Sequence, residues 1–103
     1  MIIRGGENVP VVEVEGLIYQ HPAIAECAVV AMPDERLGER GCCFAVLRAE
    51  TALTFTDLVA FLQEKELSRT YLPERLEIID AMPKTPSGKI QKNVLRERAK
   101  GFT

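Results

Sequence analysis

The chain has 103 residues and a mass of 11.5 kDa, which corresponds to about one domain. Hydrophobic residues make up 47% of it and charged residues 27%, a composition that excludes collagen-like and extensively disordered chains. No apolar run approaches the roughly 18 residues of a membrane helix, and no basic segment followed by an apolar stretch opens the chain. We therefore expect no transmembrane segment and a cytoplasmic location.

The first half of the chain predicts a strand, a helix and two further strands. The chain opens with MIIRGG, a short apolar stretch that Arg4 and two glycines follow, which predicts a strand that runs into a loop. Residues 11–20 alternate in part like a strand, but Pro10 before them and a helical stripe favour a helix. The apolar runs 25–32 and 41–48 are joined by a polar turn and predict antiparallel neighbours. The helical stripe consists of Val11, Val14, Leu17 and Ile18.

The second half predicts a helix, a strand, a polar loop and a basic helix. Thr54 as N-cap with Asp57 three residues later is close to a capping box. Residues 74–80 alternate as a strand, and a helix follows from about Gln91 to Lys100. The capped helix carries an apolar stripe for packing on the sheet: Phe55, Leu58, Val59 and Leu62. The predicted fold class is α+β in one domain, with a small mixed, largely antiparallel sheet and about three helices.

The cysteine and histidine content predicts no metal site. Cys27, Cys42 and Cys43 have no CxxC spacing and lie among apolar residues, where a thiol behaves as a small buried hydrophobe. Cys42 and Cys43 are adjacent in a predicted strand, so their side chains should point to opposite faces of the sheet. His21 is the only histidine.

The charge is distributed unevenly along the chain. The segment from Met82 onward contains six basic residues and one acidic residue, whereas the rest of the chain has 7 basic and 14 acidic residues. This asymmetry predicts that the tail meets an anion: a nucleotide phosphate, nucleic acid or an acidic neighbouring surface. A solvated helix face is the simpler alternative. The basic residues are Lys84, Lys89, Lys92, Arg96, Arg98 and Lys100.

Two loops combine glycine with charge. In the segment PKTPSGKIQK, two prolines and Gly88 restrict the backbone, so Lys89 is presented from a shaped loop and can bind a phosphate or carboxylate. The segment is not a nucleotide-hydrolase phosphate loop, because Pro83 and Ile90 stand where that motif needs Gly and Ser or Thr. Taken alone, this loop also fits an ordinary turn, and so does the second loop, described next.

The second loop is RGGEN, at Arg4, Gly5, Gly6, Glu7 and Asn8. Paired glycines let a backbone approach a ligand closely, and the flanking Arg and Glu are suited to orient a phosphate or a thiol-bearing chain.

In order along the chain, the GGEN loop, HPAIAECAVVAMPD, PDERLGE and PKTPSGK resemble the small C-terminal domain of the adenylate-forming enzymes. This superfamily comprises acyl-CoA synthetases, adenylation domains of peptide synthetases and beetle luciferases. The resemblance covers nearly the whole chain and is strongest to fatty-acid or cyclohexanecarboxylate-type CoA ligases. It implies that residues 1–103 are a lid domain, inactive alone, that closes over a large N-terminal domain absent here.

The resemblance also implies roles for individual residues. Lys89 falls on the lysine that serves adenylate formation from a carboxylic acid and ATP, with Mg²⁺ held by the large domain. Ser87 and Gly88 belong to the loop that presents it. Gly5, Gly6 and Glu7, with Arg4 beside them, fall on the loop that borders the tunnel for the pantetheine arm of CoA. Related synthetases are inactivated by acetylation at the position of Lys89, which implies a lysine acetyltransferase as a partner.

Two alternatives to a CoA ligase stay open at this point. One is an adenylation domain that passes its acyl group to a carrier protein, although GGEN in place of a Gly-x-Arg loop favours the CoA ligase. The other is a non-catalytic binding module whose basic tail docks on nucleic acid or on a protein. The pocket that selects the carboxylic acid belongs to the missing domain. The motifs of this chain only favour medium-chain, alicyclic or aromatic acids.

Overall fold

The computed structural model describes residues 2–4, 7–34 and 38–101. This part of the chain forms five strands, three α-helices and one 3₁₀ turn at Arg69–Tyr71. The strands are β1 (Ile2–Arg4), β2 (Glu7–Val9), β3 (Ile24–Asp34), β4 (Gly38–Leu47) and β5 (Arg75–Ile78). The helices are α1 (Val11–Tyr19), α2 (Phe55–Glu64) and α3 (Lys92–Lys100).

A single mixed sheet is built around β4. The antiparallel ladder of β3 and β4 runs from the pair Ile24 and Leu47 to the pair Asp34 and Gly38. On the other side of β4, β1 pairs antiparallel at Gly38 and β5 pairs parallel along residues 42–45. Within the described sheet β3 pairs β4 alone, so β3 is an edge strand. The sheet is mixed and largely antiparallel, as predicted.

Helices cover both faces of this sheet. The first core cluster joins α1 and α2 to one face, through Val14, Ile18, Leu58 and Leu62. The second cluster joins α3 to the opposite face, where Leu95 and Ala99 pack against β3 and β4. Because both faces of β4 are covered, its middle is a continuous buried run and does not alternate between buried and exposed residues.

The predicted helix start at Thr54 is confirmed. The Thr54 hydroxyl accepts a hydrogen bond from the Asp57 amide at 3.1 Å, and the Asp57 carboxylate accepts one from the Thr54 amide at 3.2 Å. The predicted stripe is wrong at Phe55, which is 41% exposed. Helical side chains tilt toward the N-terminus, so the side chain of the first residue extends beyond the end of the packed face.

Two further features differ from the prediction. Residues 7–9 form β2, which pairs antiparallel with β1 and was not predicted because Glu and Asn carry no strand pattern. In β5, the alternation of Leu76 and Ile78 with Glu predicts that both apolar side chains point inward. Leu76 packs against the first core cluster as predicted, but Ile78 is 47% exposed, and Ile79 packs against the second cluster.

The three cysteines are buried and free, as predicted. Cys43 lies in the first core cluster and Cys42 in the second, which places the neighbours on opposite faces of the sheet. Burial raises the pKa of Cys27 and Cys42 to about 12 and that of Cys43 well above 9.0, because a buried thiolate loses its hydration. All three thiols are therefore protonated at neutral pH.

We expect these thiols to resist modification in the folded protein. An aromatic disulfide reagent at pH 8 should label none of the three until denaturant is added, and all three afterwards, because only the thiolate reacts. Rapid labelling of the native protein would contradict the predicted resistance of the three thiols to modification.

The raised pKa values of the three thiols also predict a pH effect on stability. The unfolded chain loses thiol protons near pH 9 while the folded chain keeps them, so the free energy of unfolding should fall as the pH rises above about 9.

Candidate functional site

The loop before α3 is closed at its base by backbone hydrogen bonds. Lys84 and Ile90 form an antiparallel bridge, and the Gln91 amide donates to the Pro83 carbonyl at 2.8 Å. One residue inward, the Thr85 amide donates to the Lys89 carbonyl at 2.9 Å. The predicted Pro- and Gly-rich loop is thus a hairpin whose tip is residues 86–88.

Thr85 organises the tip of this hairpin. Its hydroxyl oxygen accepts a hydrogen bond from the Lys89 amide at 3.2 Å and lies 2.9 Å from the Ser87 hydroxyl. The Thr85 carbonyl accepts from the Gly88 amide at 2.9 Å. Gly88 has φ +91°, a conformation that favours glycine. Sequence reasoning missed Thr85, although a Thr beside Pro and Gly in a turn is a known signal for side-chain bonding to the backbone.

Lys89 is exposed on this hairpin. In the part of the chain that the structure describes, its ammonium group makes no hydrogen bond or ion pair, whereas its backbone is held on both sides by Thr85. A fixed backbone with an unpartnered cation is suited to receive an anion that belongs to another body, such as a phosphate or a carboxylate.

Two other lysines of the basic tail bind acids of the same chain. The Lys84 ammonium lies 2.7 Å from the Glu26 carboxylate on β3. The Lys92 ammonium lies 2.7 Å from the Glu15 carboxylate on α1. Three kinds of anion were predicted for the basic tail. One of them, an acidic neighbouring surface, is present within the domain on β3 and α1. Glu15 and Glu26 were not predicted as partners.

The second predicted loop is described only at its flanks. Arg4 and Glu7 face each other as the last pair of the ladder between β1 and β2. Gly5 and Gly6 lie outside the described residues. The structure thus brings Ser87, Gly88 and Lys89 together in one hairpin, and it separately pairs the backbones of Arg4 and Glu7.

The described ranges contain no group of three or more His, Cys, Asp or Glu side chains that could hold a metal ion. They also contain no helix that is both long and apolar enough to span a bilayer.

Comparison with known proteins identifies relatives over almost the whole chain. The chain is 47% identical over 98 residues to the medium-chain fatty-acid–CoA ligase of Escherichia coli, covering 94% of this chain and 17% of that protein. It is 45% identical over 96 residues to the 2,3-dihydroxybenzoate-AMP ligase of Bacillus subtilis, covering 93% of this chain and 18% of that protein. The chain therefore spans less than a fifth of the length of these relatives.

The fold has close counterparts among solved structures. The Mycobacterium tuberculosis fatty acyl CoA synthetase superimposes with a TM-score of 0.90 at 36% identity, over 99% of this chain and 20% of that one. The family model of the AMP-binding enzyme C-terminal domain matches residues 13–89, from α1 to the lysine that follows the tip of the hairpin. The chain belongs to the AMP-binding enzyme C-terminal domain family of adenylate-forming ligases.

Proposed function

We propose that this chain is the lid domain of an ATP-dependent acyl-CoA synthetase that contributes Lys89 to the active site. In the first reaction a carboxylate oxygen attacks the α-phosphorus of ATP and pyrophosphate leaves. In the second, the CoA thiolate attacks the acyl carbon of the adenylate and AMP leaves. The observation that carries this proposal is the exposed Lys89 on its braced hairpin, in a chain 47% identical to a CoA ligase.

The chemistry of adenylate formation explains why a lysine is needed. An anionic carboxylate must approach an anionic triphosphate, so the two reactants repel each other. An ammonium group between them screens this repulsion and stabilises the charge that develops at the α-phosphate. At about 4 Å and an effective dielectric constant near 20, one such contact is worth roughly 4 kcal/mol. Mg²⁺ adds further charge neutralisation when bound, and we assign its ligands to the large domain.

The second reaction needs a path for the CoA arm. In our proposal the lid turns between two orientations, and the loop at Gly5, Gly6 and Glu7 borders the pantetheine tunnel in the second one. Glycines suit such a position because a side chain there would narrow the channel. Arg4 pairs with Glu7 in the ladder of β1 and β2 and directly precedes the glycines in the sequence, and we propose that it binds a CoA phosphate.

We expect Arg4→Ala in the complete synthetase to raise KM for CoA by about tenfold, because a charge-assisted hydrogen bond to phosphate contributes roughly 1.5 kcal/mol or more. The kcat of adenylate formation should stay unchanged. Steady-state kinetics with CoA as the varied substrate measures the first effect, and pyrophosphate exchange measures the second. An unchanged KM for CoA would contradict the role of Arg4.

A second candidate function differs from the CoA ligase in the acceptor of the acyl group. The second candidate is an adenylation domain that transfers its acyl group to a carrier protein. One relative is named for ligation of an aromatic acid to AMP, with no CoA in its name, which is compatible with this candidate. For the acid we propose a medium-chain, alicyclic or aromatic carboxylate; the names of the two relatives support the medium-chain and the aromatic class.

The test uses the complete protein in which this chain follows a large N-terminal domain. Exchange of labelled pyrophosphate into ATP is measured with octanoate, cyclohexanecarboxylate and 2,3-dihydroxybenzoate, and CoA is then added and acyl-CoA quantified. Acid-dependent exchange followed by acyl-CoA formation supports the CoA ligase. Exchange without use of CoA indicates the carrier-protein alternative. If none of the three acids supports exchange, the result would contradict the proposed function for these acid classes.

An exposed lysine with this role is also a target for regulation. We propose that a lysine acetyltransferase modifies Lys89, because acetylation removes the cation that adenylate formation needs. Mass spectrometry of the protein after incubation with such an enzyme and acetyl-CoA locates the modified residue, and modification elsewhere than Lys89 would contradict this assignment.

A further inference from the structure

The Glu15 carboxylate connects α1 to the edge strand β3 and to α3, which covers the opposite face of the sheet. One of its oxygens, Oε2, accepts a hydrogen bond from the Val29 amide of β3 at 2.7 Å. The same oxygen lies 2.7 Å from the Lys92 ammonium, which belongs to the first turn of α3. The Glu15 side chain is only 16% exposed, so a carboxylate sits at the edge of the core with two donors on one oxygen.

The topology explains how this contact arises. The helix that carries Glu15 covers one face of the sheet, and α3 covers the other. Because β3 pairs β4 alone in the described sheet, its outer edge has amide groups that no strand satisfies. The carboxylate accepts one of these edge amides and reaches around the edge to the lysine on the far side.

The contact lies close to Lys89 along the chain. Lys92 is three residues after Lys89 and is the first residue of α3. The intervening Gln91 is tied to Pro83 across the base of the hairpin. A shift at the start of α3 therefore moves the hairpin base and the lysine it presents.

The hairpin has a second ion pair on its other arm, between Lys84 and Glu26. The side chains of that pair are 41% and 31% exposed, whereas those of Lys92 and Glu15 are 35% and 16% exposed. Solvent and salt screen an exposed pair more strongly than an enclosed one. The contact at Glu15 is thus the stronger of the two restraints on the hairpin.

We propose that Glu15 is a positioning residue, which sets the placement of Lys89 for adenylate formation by holding Lys92 at the start of α3. This role rests on the proposed function. Reactions between bound groups depend steeply on geometry, and a displacement of about 1 Å can lower a rate by roughly 100-fold. The second reaction does not use Lys89 in the proposed function, so it should not depend on Glu15.

The experiment uses the complete synthetase with three variants and one control. Glu15→Gln keeps an acceptor for the Val29 amide and removes the charge, Lys92→Met removes the other partner, and Lys92→Arg retains the cation. Lys100→Met is the control, because Lys100 belongs to the same helix and its pair with Glu97 is exposed. The half-reactions are pyrophosphate exchange and thioester formation from synthetic acyl-adenylate plus CoA. Thermal denaturation of each variant is recorded in parallel.

We expect Glu15→Gln and Lys92→Met to lower kcat of adenylate formation between about 10- and 100-fold, with thioester formation within about twofold of the parent. Lys92→Arg should recover most of the lost rate, and Lys100→Met should match the parent. In a Lys89→Ala background, Glu15→Gln should cause no additional loss, because it acts through Lys89.

Three results would overturn the inference. An equal loss of both half-reactions, or an additional loss in the Lys89→Ala background, would show that Glu15 only stabilises the fold. A Glu15→Gln variant with parental kinetics, alongside a defective Lys89→Ala variant, would overturn the inference and leave the proposed function standing. Parental adenylate formation in Lys89→Ala would instead overturn the proposed role of Lys89, and this inference with it.

Discussion

Under the proposed function, Lys89→Ala in the complete protein is expected to lower acid-dependent adenylate formation by about three orders of magnitude. The variant removes a cation that contributes roughly 4 kcal/mol when it lies about 4 Å from an anion, and each 1.36 kcal/mol of lost transition-state stabilisation slows a reaction tenfold. The side chain is exposed and makes no bond to other described residues, so its removal should leave the fold intact. Exchange of labelled pyrophosphate into ATP measures the effect.

Two further variants make this result interpretable. Lys100→Ala removes a cation from the same basic tail and should leave exchange within about twofold of the parent, because surface ion pairs contribute little. Lys89→Arg keeps the charge but changes its geometry and should be intermediate. A loss of less than about tenfold in Lys89→Ala would contradict an electrostatic contribution of roughly 4 kcal/mol by this lysine.

The second large effect concerns the core that supports the hairpin. Phe44 in β4 is 1% exposed and packs in the second core cluster with Met82, Leu95 and Ala99. Its replacement by Ala removes a buried ring between the sheet and α3. We expect Phe44→Ala to lower the free energy of unfolding by about 3 to 5 kcal/mol. Such a loss is a large fraction of the roughly 5 to 15 kcal/mol by which a domain is stable.

Urea denaturation followed by circular dichroism measures this loss, and Phe55→Ala provides a matched control. Phe55 is the same residue type at the first position of α2, but 41% of it is exposed. Its truncation should cost less than about 1 kcal/mol, since surface substitutions have small effects. Similar losses in the two variants would contradict the assignment of Phe44 to the core.

Much of the fold could be predicted because its patterns are local. The apolar runs of β3 and β4, the helical stripe of α1 and the cap at Thr54 depend on residues a few positions apart. The placement of Lys89 on a shaped loop was also local, since Pro83, Pro86 and Gly88 restrict that backbone in any context.

The remaining features depend on contacts that no local pattern encodes. The short strand β2 is held by backbone pairing with β1, to which its side chains contribute no recognisable period. Glu15 and Lys92 lie near opposite ends of the chain and meet only because α1 and α3 cover opposite faces of an edge strand. The charge asymmetry indicated that the tail would meet an anion, but the acidic residues that bind Lys84 and Lys92 could be identified only from the topology.

The most direct test of the central claim compares the two half-reactions in one preparation of Lys89→Ala. Adenylate formation is followed by pyrophosphate exchange, and thioester formation is followed from synthetic acyl-adenylate plus CoA. If the lid supplies Lys89 to the first reaction only, exchange falls by about three orders of magnitude while the thioester rate stays within about twofold of the parent. Retention of both rates would show that Lys89 is an ordinary loop lysine and would contradict the claim.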